Sequence, residues 1–291
     1  MHEYLTTAEL CDYLRLKERT IYDLVARRAI PCSRATGKLI FPRRLIDRWV
    51  ESHVELAGEG LPLPPPIVAG SSDPLLEWAL RESGCGLATL FEGSGAGLKR
   101  LAAGEAVATG MHLVGADGKY NVGAVGALAG VSDVVLLQWA WREQGLVVKR
   151  GNPLGLATVA DLAAKRLRVV LRQPGSGAEA LLESLLAEAQ LTRDMLDALS
   201  HVALTETDVA LAIADGGADC GLAIGSVARR FGLDFVFLRR ERFDIALRRR
   251  SYFTPPLQRL FSFARTDAFR AQADALGFYD VGGSGAVEFN A

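Results

Sequence analysis

Residues 167–190 read "LRVVLRQPGSGAEALLESLLAEAQ". A short apolar run with β-branched residues ends at Gln173-Pro174, the tripeptide Gly175-Ser176-Gly177 follows, and leucines at helical spacing then run from Ala178 to Gln190. A strand that enters a helix through a turn of small residues is the unit from which α/β folds are built. Working outward, the same grammar repeats. "PIVAG" (66–70) is a strand before a helix opening at Ser72-Asp73-Pro74, and "GLATLFEG" (86–93) is a strand before a helix over Ser94–Gly104. "VATGMHLVG" (107–115), "ADCGLAIG" (218–225) and "LDFVFLRRERFDIALRR" (233–249) are further strands, and "HVALTET" (201–207) precedes a helix over Asp208–Asp215. From Ile67 onward the alternation predicts an α/β fold with mainly parallel sheets.

Four strand-to-helix junctions carry small hydroxyl residues: Ser71-Ser72, Gly93-Ser94-Gly95, Gly175-Ser176-Gly177 and Thr205 to Thr207. In α/β folds such junctions lie at the carboxyl ends of strands, where ligands bind. Helix N-termini offer free N–H groups and partial positive charge, glycine admits a ligand close to the backbone, and serine adds an O–H donor. Several of them facing one cleft make an anion site that needs no Lys or Arg. Each hydroxyl alone would serve equally well as a helix cap. The apolar runs Gly145–Val148 and Phe243–Leu247 suit two strands crossing between lobes. The first lobe is expected to span Ile67 to Leu146 plus residues after Phe243, the second Val147 to Arg242.

The N-terminal region has a different character. Thr6-Thr7-Ala8-Glu9 is a capping box, with Leu10, Tyr13 and Leu14 following at helical spacing. A second helix is predicted over Lys17–Arg28 with Ile21, Leu24 and Val25 as its apolar stripe, a hairpin wing over Cys32–Thr36 and Lys38–Phe41 turning at Gly37, and a third helix over Arg43–Ser52 opened by Pro42. Residues 15–48 hold ten Arg or Lys against Glu18, Asp23 and Asp47, whereas residues 54–291 hold 23 basic and 27 acidic residues. A basic segment on a mildly acidic body confines a nucleic-acid contact to the N-terminus. Candidate contacts are Lys17, Arg19, Thr20, Tyr22, Arg27 and Arg28 on the second helix, and Arg34 and Lys38 on the wing. Residues 54–66, "VELAGEGLPLPPP", form a proline-rich spacer between domains 1–53 and 67–291.

The stretch "LTTAELCDYLRLKERTIYDLVARRAIPCSRATGKLIFPRRLIDRWVES" resembles the excisionase-type helix-turn-helix, a relative of the mercury-resistance-regulator winged helix. This resemblance implies an α+β winged helix-turn-helix that binds double-stranded DNA with its second helix and wing. "VAGSSDPLLEWAL", "GSGAGLKRLAAGEAVATGMHL", "GKYN", "GLVVKRGNPLGL", "LRQPGSGAEALLESLLAE" and "VALAIADGGADCGLAIGSVARRFGLDFVFL" together resemble a two-lobed, type II periplasmic-binding-protein-like domain, similar to periplasmic molybdate-binding proteins. That implies a cleft lined by Ser71, Ser72, Ser94, Ser176 and Thr207, with molybdate or tungstate as the expected ligand. Glu206 and Asp208 beside the fourth junction depart from a bare oxyanion site and leave room for a larger organic or cofactor-like ligand.

Composition supports an ordinary globular protein: 49 % hydrophobic and 23 % charged residues, with a net charge of −1. The N-terminus lacks a basic region followed by an apolar one, so no secretory signal is read there. The most apolar stretch, Tyr120–Trp141, is interrupted by glycines, Asp133 and Gln138 and is assigned to a soluble core. No membrane role is expected, and the protein is placed in the cytoplasm. Cys11, Cys32, Cys85 and Cys220 lie far apart without a CxxC pair, which argues against a metal site or disulfide framework. No cofactor is expected. Gly175 to Ala180 matches the dinucleotide fingerprint GxGxxA, but the acids near the required distance, Asp194 and Asp197, sit in "LTRDMLDAL", which reads as helix. His112 and His201 lack an evident Ser or Cys partner, so an enzyme is not expected. The competing class is an architectural DNA-binding protein whose second domain only dimerises, with Arg248 to Arg250 as a second DNA contact; these arginines are read instead as a solvated strand end. A homodimer is compatible with either class.

Overall fold

The computed structural model describes residues 3–35, 37–52, 63–115, 118–128 and 133–290. The chain divides into two compact units, Met1–Pro62 and Leu63–Ala291. Most of the predicted spacer (54–62) and Thr36 in the predicted wing lie outside the described residues.

In the first unit, β1 (Tyr4–Leu5) leads into α1 (Thr7–Leu14) and α2 (Glu18–Ala26), followed by β2 (Phe41–Pro42) and α3 (Arg43–Ser52). The capping box forms: the Thr6 hydroxyl accepts from Glu9 N–H at 3.3 Å, and Glu9 Oε2 accepts from Thr6 N–H at 2.8 Å. Arg15 ends α1 in the left-handed conformation, φ 53°, which makes the tight turn into α2. Leu5, Leu10, Ile21, Ile30, Phe41 and Ile46 form the buried core, with Leu14, Leu24, Val25 and Trp49 packed against it. Tyr13 donates to Asp47 at 2.7 Å and the Trp49 indole donates to the Ala29 carbonyl at 2.7 Å, tying α3 to the helix pair. The hairpin is shorter than predicted. Ser33 and Ile40 form one antiparallel bridge, and Phe41-Pro42 instead pairs antiparallel with Tyr4-Leu5, because Phe41 buries its ring in the core.

The second unit carries β3 (Ile67–Gly70), α4 (Pro74–Glu82), β4 (Ala88–Phe91), α5 (Ser94–Ala103), β5 (Ala108–Met111), α6 (Val122–Gly126) and β6 (Val134–Val148). Next come α7 (Ala160–Ala164), β7 (Arg168–Arg172), α8 (Gly177–Glu188), β8 (Asp197–Ala203), α9 (Glu206–Ala214), β9 (Cys220–Ile224) and α10 (Gly225–Arg230). The chain closes with β10 (Asp234–Arg248), α11 (Arg249–Tyr252), α12 (Pro255–Phe263), α13 (Asp267–Leu276), β11 (Tyr279–Asp280) and β12 (Val287–Asn290). The sheet order is β4-β3-β5-β10-β6-β9-β7-β8, with β11 and β12 also on β6.

This sheet is mixed rather than mainly parallel. Pairs β3/β4, β3/β5, β7/β8 and β7/β9 are parallel, but β6 and β10 pair antiparallel over their whole 15-residue lengths and divide the parallel groups. β5 joins the Asp244–Leu247 end of this ribbon and β9 the Gln144–Val148 end. The runs Gly145–Val148 and Phe243–Leu247 therefore do not pair with each other. They lie at opposite ends, and the middle is occupied by Arg142 opposite Glu241. Each end has its own cores. Val68, Trp139, Phe243 and Phe269 pack with α4, α12 and α13, and Leu101, Met111 and Leu136 lie in a separate cluster. At the other end, leucines of α8 pack on Val169 and Leu171, and Val209 and Ile213 of α9 pack on Val147 and Val170. "LTRDMLDAL" is not a helix: one 3-10 turn over Arg193–Met195 leads straight into β8. Arg248 is not a solvated strand end, since it donates to Asp133 at 2.6 Å and to the Ala102 carbonyl at 3.2 Å.

Candidate functional site

The carboxyl ends of β5 and β9 meet the β6–β10 ribbon near its middle, and β3, β4 and β7, parallel to them, run in the same directions. Gly70 sits in the left-handed region, φ 96°, with no room for a Cβ, which would lie 2.2 Å from the Gly110 carbonyl oxygen. The chain can therefore turn sharply out of β3 and deliver Ser71, whose N–H donates to the same Gly110 oxygen at 2.8 Å. The Ser71 and Ser94 hydroxyls share a hydrogen bond of 2.8 Å, and Ser94 Oγ also accepts from His112 N–H at 3.2 Å. Both serines are buried, Ser94 completely. Ser94 opens α5, whose N-cap, Gly93, has φ 96° and no capping side chain, so the first amides of that helix have no cap. The turn before α8 lies alongside: a Cβ on Gly93 would sit 3.5 Å from the Gly175 oxygen and 3.8 Å from Ser176 Cα. Three predicted residues, Ser71, Ser94 and Ser176, are thereby gathered at one place.

Ser176 is also the N-cap of α8, accepting from Glu179 N–H at 3.1 Å. The remaining two candidates, Ser72 and Thr207, are placed differently. Ser72 is half-buried, and the cap of α4 is Asp73, which accepts from Leu76 N–H at 2.8 Å. Thr207 lies inside α9, half-buried; the hydroxyl at that junction belongs to Thr205, which forms a capping box with Asp208. Glu206 is the residue of this junction that reaches inward. It pairs with Arg172 at 3.0 Å and accepts from Ile224 N–H at 3.0 Å.

Beneath the serines lies a buried polar network that sequence reasoning missed. Arg142, 1 % exposed, donates to Asp73 Oδ2 at 2.9 Å and to Glu241 Oε1 at 2.7 Å, with its guanidinium 4.6 Å from the centre of the Phe243 ring. Glu241 also accepts from Gln144 at 3.0 Å and meets His112 Nδ1 at 3.0 Å, and Tyr279 donates to Asp73 at 2.7 Å. Burial alone would raise the Glu241 carboxyl. The charges of Arg142 and His112, with hydrogen bonds from His112 and Gln144, outweigh burial and take it down to about 2. The Tyr279 hydroxyl is pushed up, first by burial and then by the Asp73 carboxylate. The His112 ring packs against Gly177, where a Cβ would come within 2.4 Å of the imidazole. A signal for this network was available: charged and amide residues, Gln138, Arg142 and Gln144 in one strand and Glu241 and Asp244 in the other, interrupt long apolar runs. His112 does have a serine neighbour after all, but through its backbone N–H, while its Nδ1 faces Glu241. Asp197 stands at the start of β8, opposite Arg168, at the far end of the strand from the GxGxxA turn, and so cannot complete a dinucleotide fingerprint there.

In the first unit, Lys17 is the N-cap of α2 and Arg19, Thr20 and Tyr22 lie on its exposed side. Arg27 and Arg28 end the helix, exposed, and Arg34 and Lys38 are exposed on the hairpin. Among the described residues none of these cations has an ion-pair partner. Among the described residues, no group of three or more His, Cys, Asp or Glu is placed to hold a metal, and no helix is long and apolar enough to cross a membrane. Cys11, Cys32, Cys85 and Cys220 are free thiols, and burial pushes that of Cys220 up to about 12.

Comparison with known proteins fits this division. The family model described as PBP superfamily domain matches residues 77–265, and the chain belongs to that family. A second model, described as helix-turn-helix domain, matches residues 4–54. The protein thus joins a DNA-binding type of domain to a PBP-like domain, and neither match is to a catalytic family. Protein YvgK of Bacillus subtilis, uncharacterized, is 24 % identical over 262 residues, covering 83 % of this chain and 84 % of its own. Among solved structures, a Clostridium perfringens protein described as a phosphate ABC transporter substrate-binding protein with bound phosphate aligns with TM-score 0.55 and 12 % identity, covering 72 % of this chain and 96 % of its own. An H2O2-bound mutant of Corynebacterium glutamicum OxyR aligns with TM-score 0.51 and 13 % identity over 93 % of this chain and 89 % of its own. These likenesses concern the fold, and none is specific to molybdate.

Proposed function

We propose that this protein is a ligand-responsive transcription regulator in the cytoplasm. It binds double-stranded DNA through α2 and the Ser33–Ile40 hairpin, and it senses a small oxyanion where two lobes meet at the middle of the β6–β10 ribbon. The observation that carries the anion reading is the buried Ser71–Ser94 hydroxyl pair at the uncapped start of α5, beside the start of α8. Uncapped amides, and the one hydroxyl proton that the Ser71–Ser94 bond leaves over, are donors in a water-poor place, which favours an anion. The carboxylates of Asp73, Glu241 and Glu206 do not oppose this, because Arg142 and Arg172 hold them. Ser72 and Ser176 border the same place and belong to the proposed ligand set; at the fourth junction Glu206 stays on Arg172 and Thr205 caps α9, which leaves Thr207 as the hydroxyl not used in capping. Phosphate suits the donor set as well as molybdate or tungstate does, and the likeness to a phosphate-bound protein puts it first among probes. Two lobes closing on the ligand would link this site to the DNA-reading unit, and the +7 charge over residues 15–48 supports the DNA assignment.

The test is a melting experiment on the full chain with phosphate, molybdate, tungstate and sulfate as probes. An anion at a hundredfold excess over Kd stabilises by about 2.7 kcal/mol. The expected result is a rise in melting temperature with at least one anion, abolished in Ser71→Ala, Ser94→Ala. A shift that survives the double variant, or none with any anion, would show the serines to be structural.

A further inference from the structure

A groove of about 800 Å³ opens in the second unit, and its lining shares no residue with the serine cluster. It is lined by Arg150, Asn152, Arg229, Asp234, Phe235 and Phe278, among others. The Phe235 and Phe278 rings sit 5.1 Å apart on its wall, tilted by 59°. Both rings are fitted against glycines. A Cβ on Gly145 would lie 2.8 Å from the Phe235 ring, and one on Gly225 would lie 2.6 Å from that of Phe278. Phe278 itself has φ 63°, a left-handed backbone that a bulky residue adopts only where its surroundings hold it. Two contacts hold it: its carbonyl accepts from Glu143 N–H at 3.1 Å, and Arg229 lies against the preceding Gly277. An aromatic ring is thus kept half-exposed in a strained conformation rather than sunk in the core, a pattern that points to use.

The charge around these rings has one sign to spare. Arg150 and Arg229 are exposed and have no carboxylate partner among the described residues. Asp234 accepts from Gly151 N–H at 2.9 Å, which fixes the turn that carries Arg150 and leaves two guanidiniums against one carboxylate in the lining. The volume is that of an ordinary small-molecule site. Guanidinium groups suit carboxylates, and aromatic walls suit flat rings.

We propose that this groove is a second small-molecule site, taking a flat aromatic carboxylate. Its wall connects to the buried polar network through the residue after Phe278, Tyr279, which bonds Asp73. Binding here does not require an oxyanion at the serines. Titration calorimetry of the full chain with 2-naphthoate tests it. One site per chain is expected, with affinity lowered tenfold or more in Arg150→Gln, Arg229→Gln; Arg150→Gln alone, at an exposed residue that takes no part in holding Phe278, is expected to weaken binding at an unchanged melting temperature. Two control probes, 2-naphthalenemethanol (rings without charge) and acetate (charge without rings), are each expected to bind at least tenfold more weakly. Phe278→Leu is expected to weaken the complex while sparing the arginines. No heat with 2-naphthoate, a smaller than tenfold loss in the arginine double variant, or equal binding of the alcohol would overturn the proposal.

Discussion

Replacing Arg142 with Met removes a fully buried cation while keeping most of its volume. In the native protein its guanidinium satisfies Asp73 and Glu241 at once. Removing one partner of a buried ionic cluster costs about 3–5 kcal/mol, because the remaining charges stay desolvated without compensation. For a domain of this size each kcal/mol moves the melting temperature by about 2–4 °C, so a fall of roughly 6–20 °C is expected for the PBP-like unit. The pH dependence gives a sharper check. Glu241 titrates near 2 in the folded protein against an ordinary 4.5, so it contributes stability that is present above about 4.5 and is lost as pH falls toward 2. That difference corresponds to about 3 kcal/mol at neutral pH. In the variant, burial remains and the strongest lowering charge is gone, so the folded carboxyl rises instead and its ionisation opposes folding. The deficit relative to wild type should therefore be larger at pH 7 than at pH 4. Urea unfolding followed by circular dichroism at both values measures it. A deficit below about 1 kcal/mol at pH 7, or one that grows on acidification, would refute the claim that Arg142 is what holds the Glu241 carboxyl down.

Gly177→Ala should push the His112 ring away and destabilise by about 1–3 kcal/mol, the usual cost of overpacking, as read by thermal melting; His112→Ala should relieve most of that cost in the double variant. Arg19→Ala should weaken operator binding by about 1–3 kcal/mol if the side chain reads a base, while Lys38→Ala should lower the salt slope of binding by about one, both measured by fluorescence anisotropy across salt concentrations. Trp49→Phe loses the bond to the Ala29 carbonyl and should cost the helix-turn-helix unit about 1 kcal/mol in denaturant unfolding, with the helical content retained.

Local chemistry was legible in the order of the residues. The Thr6–Glu9 capping box, the Pro74 helix start and the Gly-Ser-Gly entry to α8 all act within one turn of helix, so neighbours in sequence determine them. The same locality explains the misreadings. "LTRDMLDAL" has helix-forming residues and a helical spacing of Leu191, Met195 and Leu199, but β7 offers an open edge and pairing with it overrides propensity. Thr205 and Thr207 differ as caps only by where α9 begins, which Asp208 settles by closing its box on Thr205. What only the tertiary structure decided is the centre of the molecule. Arg142 stands 69 residues from Asp73 and 99 from Glu241. Charges are tolerated in those apolar strands because β6 and β10 pair through their full lengths and bring them within hydrogen-bond reach. A lone buried charge carries a penalty that no nearby residue offsets, so the sequence could show that these strands contain charges but only the pairing shows what neutralises them.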